Sequence, residues 1–74
     1  MSTTRIESEV NARVLRVEVA VGDEVGADDV VMMVESMKME IPVQAEAAGR
    51  VSAIHVAEGD TVEEGQLLVE LAAS

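Results

Sequence analysis

Four absences narrow the field. The 74-residue chain has no cysteine, no phenylalanine, tyrosine or tryptophan, a single proline, Pro42, and a single lysine, Lys38. Without cysteine there is neither a disulfide framework nor a thiolate zinc site, so an apolar core and backbone pairing must hold so short a chain. Cysteine usage leaves the compartment open, and a reducing cytoplasm suits it. Without aromatics the core falls to Val, Ile, Leu, Met and Ala, a β-branched set that favours strands. Positive charge is scarce: five basic residues stand against fifteen acidic ones, a formal charge of -10. Nucleic acids and anionic membrane surfaces, both reached through clustered lysine and arginine, drop out as partners. No apolar run approaches membrane-spanning length, and Met1-Ser2-Thr3-Thr4-Arg5 is not followed by an apolar stretch of signal-peptide length. The expectation is one soluble, cytoplasmic domain over residues 1–74, monomeric when isolated, with neutral or basic partners.

What is present is a repetition. Shifting the sequence by 37 residues pairs Arg13-Val14 with Arg50-Val51, Val19-Ala20 with Val56-Ala57, Gly22-Asp23 with Gly59-Asp60, and Val25 with Val62. It also lays Ile6 over Val43, Val17 over Ile54, Val30 over Leu67, Met32 over Val69 and Val34 over Leu71. The chain therefore divides into quasi-repeats of about 1–37 and 38–74. Two copies are too few for a solenoid and imply a closed module with a pseudo-twofold axis.

Each copy reads as short strands separated by turns. Val17, Val19 and Val21 alternate with Glu18 and Ala20, and Ile54 and Val56 with His55 and Ala57, the period-two pattern of a half-buried strand. Gly22-Asp23 and Gly59-Asp60 end those runs with one turn built twice. Val30, Met32, Val34 and Leu67, Val69, Leu71 alternate again, as do Ile41 and Val43 around Pro42, a residue suited to an edge strand. From Asp28 to Ile41 the apolar residues Val30, Met33, Val34, Met37 and Ile41 also fit helical spacing, with Asp28 and Asp29 as N-caps. The second copy decides for strand, because it alternates cleanly after Gly65 and a duplicated motif takes one conformation. Many strands of about four residues with turns between them predict a small all-β sandwich or barrel.

Lys38 sits where the copies meet, in Glu35-Ser36-Met37-Lys38-Met39-Glu40, between a strand ending near Glu35 and one starting near Glu40. That junction is a hairpin turn. A primary amine on a four-carbon stem can be acylated to a stable amide and then carry what is attached. Taken alone, a lysine is a solvated surface residue; its uniqueness, its methionine neighbours and Glu35 three residues before it mark this one as placed. Met39 reads as part of an adaptable thioether contact surface, and Met37 equally as that or as core filler. Met32, Met33, Met37 and Met39 do not make a copper site, since alternation puts Met32 and Met33 on opposite faces and no cysteine joins them. No metal site is expected. His55, the only histidine, overlies Glu18 at an outward position. No nucleophile, base and orienter constellation can be drawn, so no catalytic residues are expected.

Ser36-Met37-Lys38-Met39 resembles the attachment site of biotinyl domains, whose usual pattern is Glu-Ala-Met-Lys-Met, with Ser36 in place of the alanine. The resemblance to biotinyl and lipoyl domains covers nearly the whole chain. Gly49-Arg50-Val51 through Ile54, Val56, Gly59-Asp60 and Val62 match that family's Gly-x-Val-x-x-Ile/Val-x-Val-x-x-Gly-Asp-x-Val repeat, and Gly65-Gln66 continues it. The first copy departs in places: Ala12 replaces the glycine and Asp28 stands over Gly65. Before the second copy, Glu46-Ala47 replaces the usual Ala-Pro.

The resemblance implies a flattened β-barrel or sandwich of two four-stranded antiparallel sheets with pseudo-twofold symmetry, the barrel-sandwich hybrid. It implies a free-standing carrier closest to biotin carboxyl carrier domains, biotinylated on Lys38 by a biotin protein ligase acting from biotinyl-adenylate. Glu35, Ser36, Met37, Met39 and Glu40 would be the flanking recognition residues. As a swinging arm, carboxybiotin would pass between the biotin carboxylase and carboxyltransferase subunits of an acyl-CoA carboxylase. Such a domain is non-catalytic and contributes presentation and effective concentration. Two alternatives stand beside this one. A lipoyl carrier of a 2-oxoacid dehydrogenase complex would usually show Asp-Lys-Ala where this chain has Met37-Lys38-Met39, and an unmodified interaction module would merely keep the fold.

Overall fold

The computed structural model describes residues 3–73. Its strands are β1 (Thr3–Glu7), β2 (Ala12–Val17), β3 (Glu24–Val25), β4 (Val30–Ser36), β5 (Met39–Gln44), β6 (Gly49–Ile54), β7 (Thr61–Val62) and β8 (Leu67–Ala72). They make two four-stranded sheets, ordered β1-β8-β6-β3 and β5-β4-β2-β7, in which every pairing is antiparallel. Pro42 lies on β5, an edge strand, where its missing N–H costs no ladder bond. Asp28 to Ile41 is turn, strand, hairpin and strand, with no helical stretch.

The pairings recur under the 37-residue shift. Glu35 faces Glu40 as Ala72 faces Thr3, Val14 faces Val34 as Val51 faces Leu71, and Ala12 faces Val62 as Gly49 faces Val25. Irregularities recur too: the β2–β4 ladder skips Leu15 and the β6–β8 ladder skips Ser52. Each sheet takes two strands from each half of the chain, so neither half has a sheet of its own.

Between the sheets lies a core of Val, Leu, Met, Ile and Ala, with Met32, Leu68, Leu71, Val14, Val34, Val51 and Val62 fully buried. Each such side chain contributes about 1.5–3 kcal/mol by leaving water. Simple alternation fails at one place in each copy. Val31 and Met32 are both buried, as are Leu68 and Val69, while Val30 is exposed. The register of β4 against β5 shifts between Val30 and Met32, and the extra residue of that bulge turns Val31 inward as well.

The strands expected over 17–21 and 54–57 are displaced: β2 and β6 lie over 12–17 and 49–54 and share only Val17 and Ile54 with the expected runs. Their continuations keep one ladder-like bond each, from the N–H of Glu18 to Val31 O and from the N–H of His55 to Leu68 O. Val56 still packs into the core, but Val21 is 63% exposed because it is already inside a turn. Six strands run five to seven residues and two run only two, against the expected four or so.

The turns are one device used four times, over Ala20–Asp23, Gly26–Asp29, Ala57–Asp60 and Glu63–Gln66. In each, the fourth residue's N–H donates to the first residue's carbonyl at 2.9–3.1 Å. The side-chain oxygen of that fourth residue accepts the first residue's N–H at 2.8–3.0 Å. The third residue carries positive φ: 99° at Gly22, 74° at Asp28, 90° at Gly59 and 86° at Gly65. This is type II geometry, which asks for glycine at the third place. Asp28 makes the same turn without it.

Candidate functional site

β4 and β5 approach the junction of the halves in register, Val34 opposite Ile41, Glu35 opposite Glu40 and Ser36 opposite Met39, leaving a two-residue loop of Met37 and Lys38. Both loop residues have positive φ, 53° and 67°. That pair of values defines a type I′ hairpin, whose twist matches that of the flanking strands and whose preferred residues are Asn-Gly. A longer L side chain in this region carries a steric cost of about 1–2 kcal/mol per residue. One step back, two carboxylates are set directly opposite each other, an arrangement that destabilises a sheet pair. Two departures from good folding chemistry thus meet around Lys38, and such departures gather where a site is kept for something other than stability.

The side chains around the turn are laid open. Met37 is 92% exposed and Met39 64%, which removes core filling as the reason for Met37. Lys38 and Glu40 are exposed, and Glu35 and Ser36 are half-buried. Among the described residues, Arg5, Arg16 and Arg50 are held by Glu7, Glu18 and Glu24 at 3.7, 3.6 and 3.2 Å, while Lys38 makes no ion pair or side-chain hydrogen bond. Its amine is available to a reagent from solvent. Glu40, Glu35 and Arg13 form one row across β5, β4 and β2. Sequence reasoning did not bring Arg13 to this row, because the neighbour of a strand within a sheet is a property of topology and not of pattern.

His55 is exposed, with Nε2 2.8 Å from Glu70 Oε1. Among the described residues no three His, Asp or Glu side chains are grouped to hold a metal ion. A cleft of about 470 Å³ opens between β1 and β5, lined by residues such as Ile6, Glu7, Val10, Ile41 and Glu46. None of Ser36, Met37, Lys38 and Met39 lines it. The candidate site is a projecting turn rather than a pocket.

Residues 2–71 match the biotin/lipoyl family model, described as "Biotin-requiring enzyme". The chain belongs to the biotin/lipoyl attachment family. It is 48% identical over 63 residues to the biotinylated protein TB7.3 homolog of Mycobacterium leprae, covering 85% of this chain and 89% of that protein. Among solved structures, the urea carboxylase of Kluyveromyces lactis matches with a TM-score of 0.92 and 36% identity, over 97% of this chain and 6% of that one. The lipoyl domain of the 2-oxoglutarate dehydrogenase complex from Azotobacter vinelandii matches with a TM-score of 0.73 and 29% identity, over 90% of this chain and 95% of that one. The two-sheet architecture implied by the sequence resemblance is thus that of this family. Among the described residues no helix is long and apolar enough to cross a membrane.

Proposed function

We propose that the protein is a biotin carrier, acylated on Lys38 by a biotin protein ligase and serving a biotin-dependent acyl-CoA carboxylase. The observation that carries this reading is the only lysine of the chain, exposed and without an ion pair among the described residues, at the apex of a strained two-residue turn. Covalent attachment asks of the carrier only a reachable primary amine on a fixed support, and these residues fit that requirement. When attached, biotin supplies a ureido nitrogen that takes up and gives up a carboxyl group.

The chain's own residues do the rest. The closed type I′ loop fixes where the lysine stem starts, and the stem adds reach beyond it. Met37 and Met39 offer apolar, pliable flanks to the ligase and to the biotin carboxylase and carboxyltransferase subunits. Glu35, Ser36 and Glu40 complete the recognised stretch. The domain is a non-catalytic carrier, which raises the local concentration of the attached group at each active site.

Intact mass after coexpression with a biotin protein ligase tests the reading. The expected result is one biotin per chain, located on Lys38 and absent from Lys38→Arg. A lipoyl mass increment would assign the chain to 2-oxoacid dehydrogenase complexes instead. An unmodified chain beside an active ligase would leave only an interaction module.

A further inference from the structure

Met37 and Lys38 hold positive φ, 53° and 67°, in the loop that joins residues 3–36 to residues 39–72. Four of the six strand pairings, β1 with β8, β3 with β6, β2 with β7 and β4 with β5, join one half of the chain to the other. A short hinge of poorly suited residues between two interleaved halves is the arrangement from which identical chains exchange elements.

We propose that a second copy of this chain is a partner, bound by reciprocal exchange of the two halves about an opened Met37-Lys38 loop. In the exchanged dimer β4 of each chain runs straight on into its own β5 and pairs with β5 of the other chain. Val34 opposite Ile41, Glu35 opposite Glu40 and Ser36 opposite Met39 step towards the loop one residue at a time. The next pairs of the uninterrupted ladder therefore place Met37 of each chain opposite Lys38 of the other. Register is kept, all four inter-half pairings re-form, and both loop residues return to the extended backbone that L residues prefer.

Lys38 then leaves the apex of a turn and enters the middle of a two-stranded ribbon. Resting on the attachment reading above, the dimer is a form in which the lysine is withheld from the ligase. The monomer holds at low concentration, and exchange requires the halves to part, so the dimer is populated by refolding at high concentration.

The chain has no cysteine, so an engineered pair reports exchange directly. Thr3 and Ala72 are register partners that join the halves through β1 and β8. Thr3→Cys with Ala72→Cys, refolded from denaturant at millimolar concentration and oxidised, is expected to give a dimer by size exclusion. On a non-reducing denaturing gel its chains should run as a covalent pair. Arg5→Cys with Glu70→Cys, a second register pair of the same strands, repeats the measurement if the first variant folds poorly. Absence of a dimer, or a dimer whose chains run singly, overturns the proposal. Met37→Asn with Lys38→Gly suits the type I′ loop and is expected to cut the dimer fraction roughly tenfold or more. An unchanged fraction would remove the loop as the hinge. Separated fractions of the parent chain are then offered to ligase and biotin. A dimer labelled as fast as the monomer overturns the withholding, whereas a monomer that takes no biotin overturns the attachment reading and leaves the exchange result standing.

Discussion

Asp28 and Gly65 occupy the same place in the two copies and the same backbone conformation, φ 74° and 86°. The aspartate bears a strain of about 1–2 kcal/mol that glycine does not, offset by the roughly 0.4–1 kcal/mol that glycine loses through its freer unfolded chain. Asp28→Gly is therefore expected to stabilise the fold by up to about 1 kcal/mol, visible as a melting temperature several degrees higher. No gain would show that the carboxylate offsets the strain through contacts of its own. Gly59 tests the opposite case. A Cβ built there meets nothing within 4 Å, so the whole penalty for Gly59→Val comes from φ 90°. The expected loss is about 1–3 kcal/mol. Ala57→Val, two residues away at an exposed position with ordinary φ, is expected to cost far less, and equal melting temperatures for the two variants would remove the turn assignment. Glycine at 22 and 59 made two of these turns readable in the sequence. Laying one copy over the other matched Asp28 to Gly65, but the turns they make were not read.

The two copies are not equally tight where strands meet. A Cβ on Gly49 of β6 would stand 2.7 Å from the carbonyl oxygen of Ala72 and 3.2 Å from Leu71 Cβ on β8, yet the first copy carries Ala12 at the matching place in β2. Gly49→Ala is expected to force β6 and β8 apart at a cost of about 1–3 kcal/mol. Denaturant unfolding measures it, and a midpoint equal to the parent's would show that the strands yield freely. β4, β5 and β8 were legible because alternation marked them and repetition matched β4 to β8, whereas β1, with Ile6 its one apolar residue, shows no alternation to read. β3 and β7 were not legible, since two residues are too few to display a period. Nor were the bulges at Val31 and Leu68, where adjacent residues are buried and the period breaks. Valine alternation also put strands at 17–21 and 54–57, which meet β2 and β6 only at Val17 and Ile54, because a turn that accepts Val21 at its second place looks like strand. Lys38 was legible by its uniqueness and by its place between the copies. The positive φ at Met37 and the place of Arg13 beside Glu35 are set by loop closure and sheet order, which composition does not carry.

At the scale of the molecule, 36 Å long and 18 Å across, the partner of the Glu35–Glu40 pair is the Thr3–Ala72 pair, its mate under the 37-residue shift. The strand ends that carry Thr3 and Ala72 are thus neighbours, and a pseudo-twofold relation predicts that they lie away from Lys38. A folded domain fused after Ser74 is expected to leave the initial rate of ligase modification nearly unchanged. The same domain inserted between Glu40 and Pro42 should abolish modification, because it splits β5 beside the turn. Strong inhibition by the terminal fusion would mean that the strand ends lie beside the lysine. The Thr3–Ala72 pair has a topological consequence as well. A four-residue bridge from Ala72 to Thr3 would match Ser36 to Met39, the stretch that carries the chain from Glu35 round to Glu40. Such a bridge would close the backbone into a ring with a hairpin at each pole. The ring unfolds to a state already deprived of loop-closure entropy, which favours the fold. Cut afterwards at Lys38, it becomes a circular permutant in which the two halves have traded their order along the chain and kept every strand pairing.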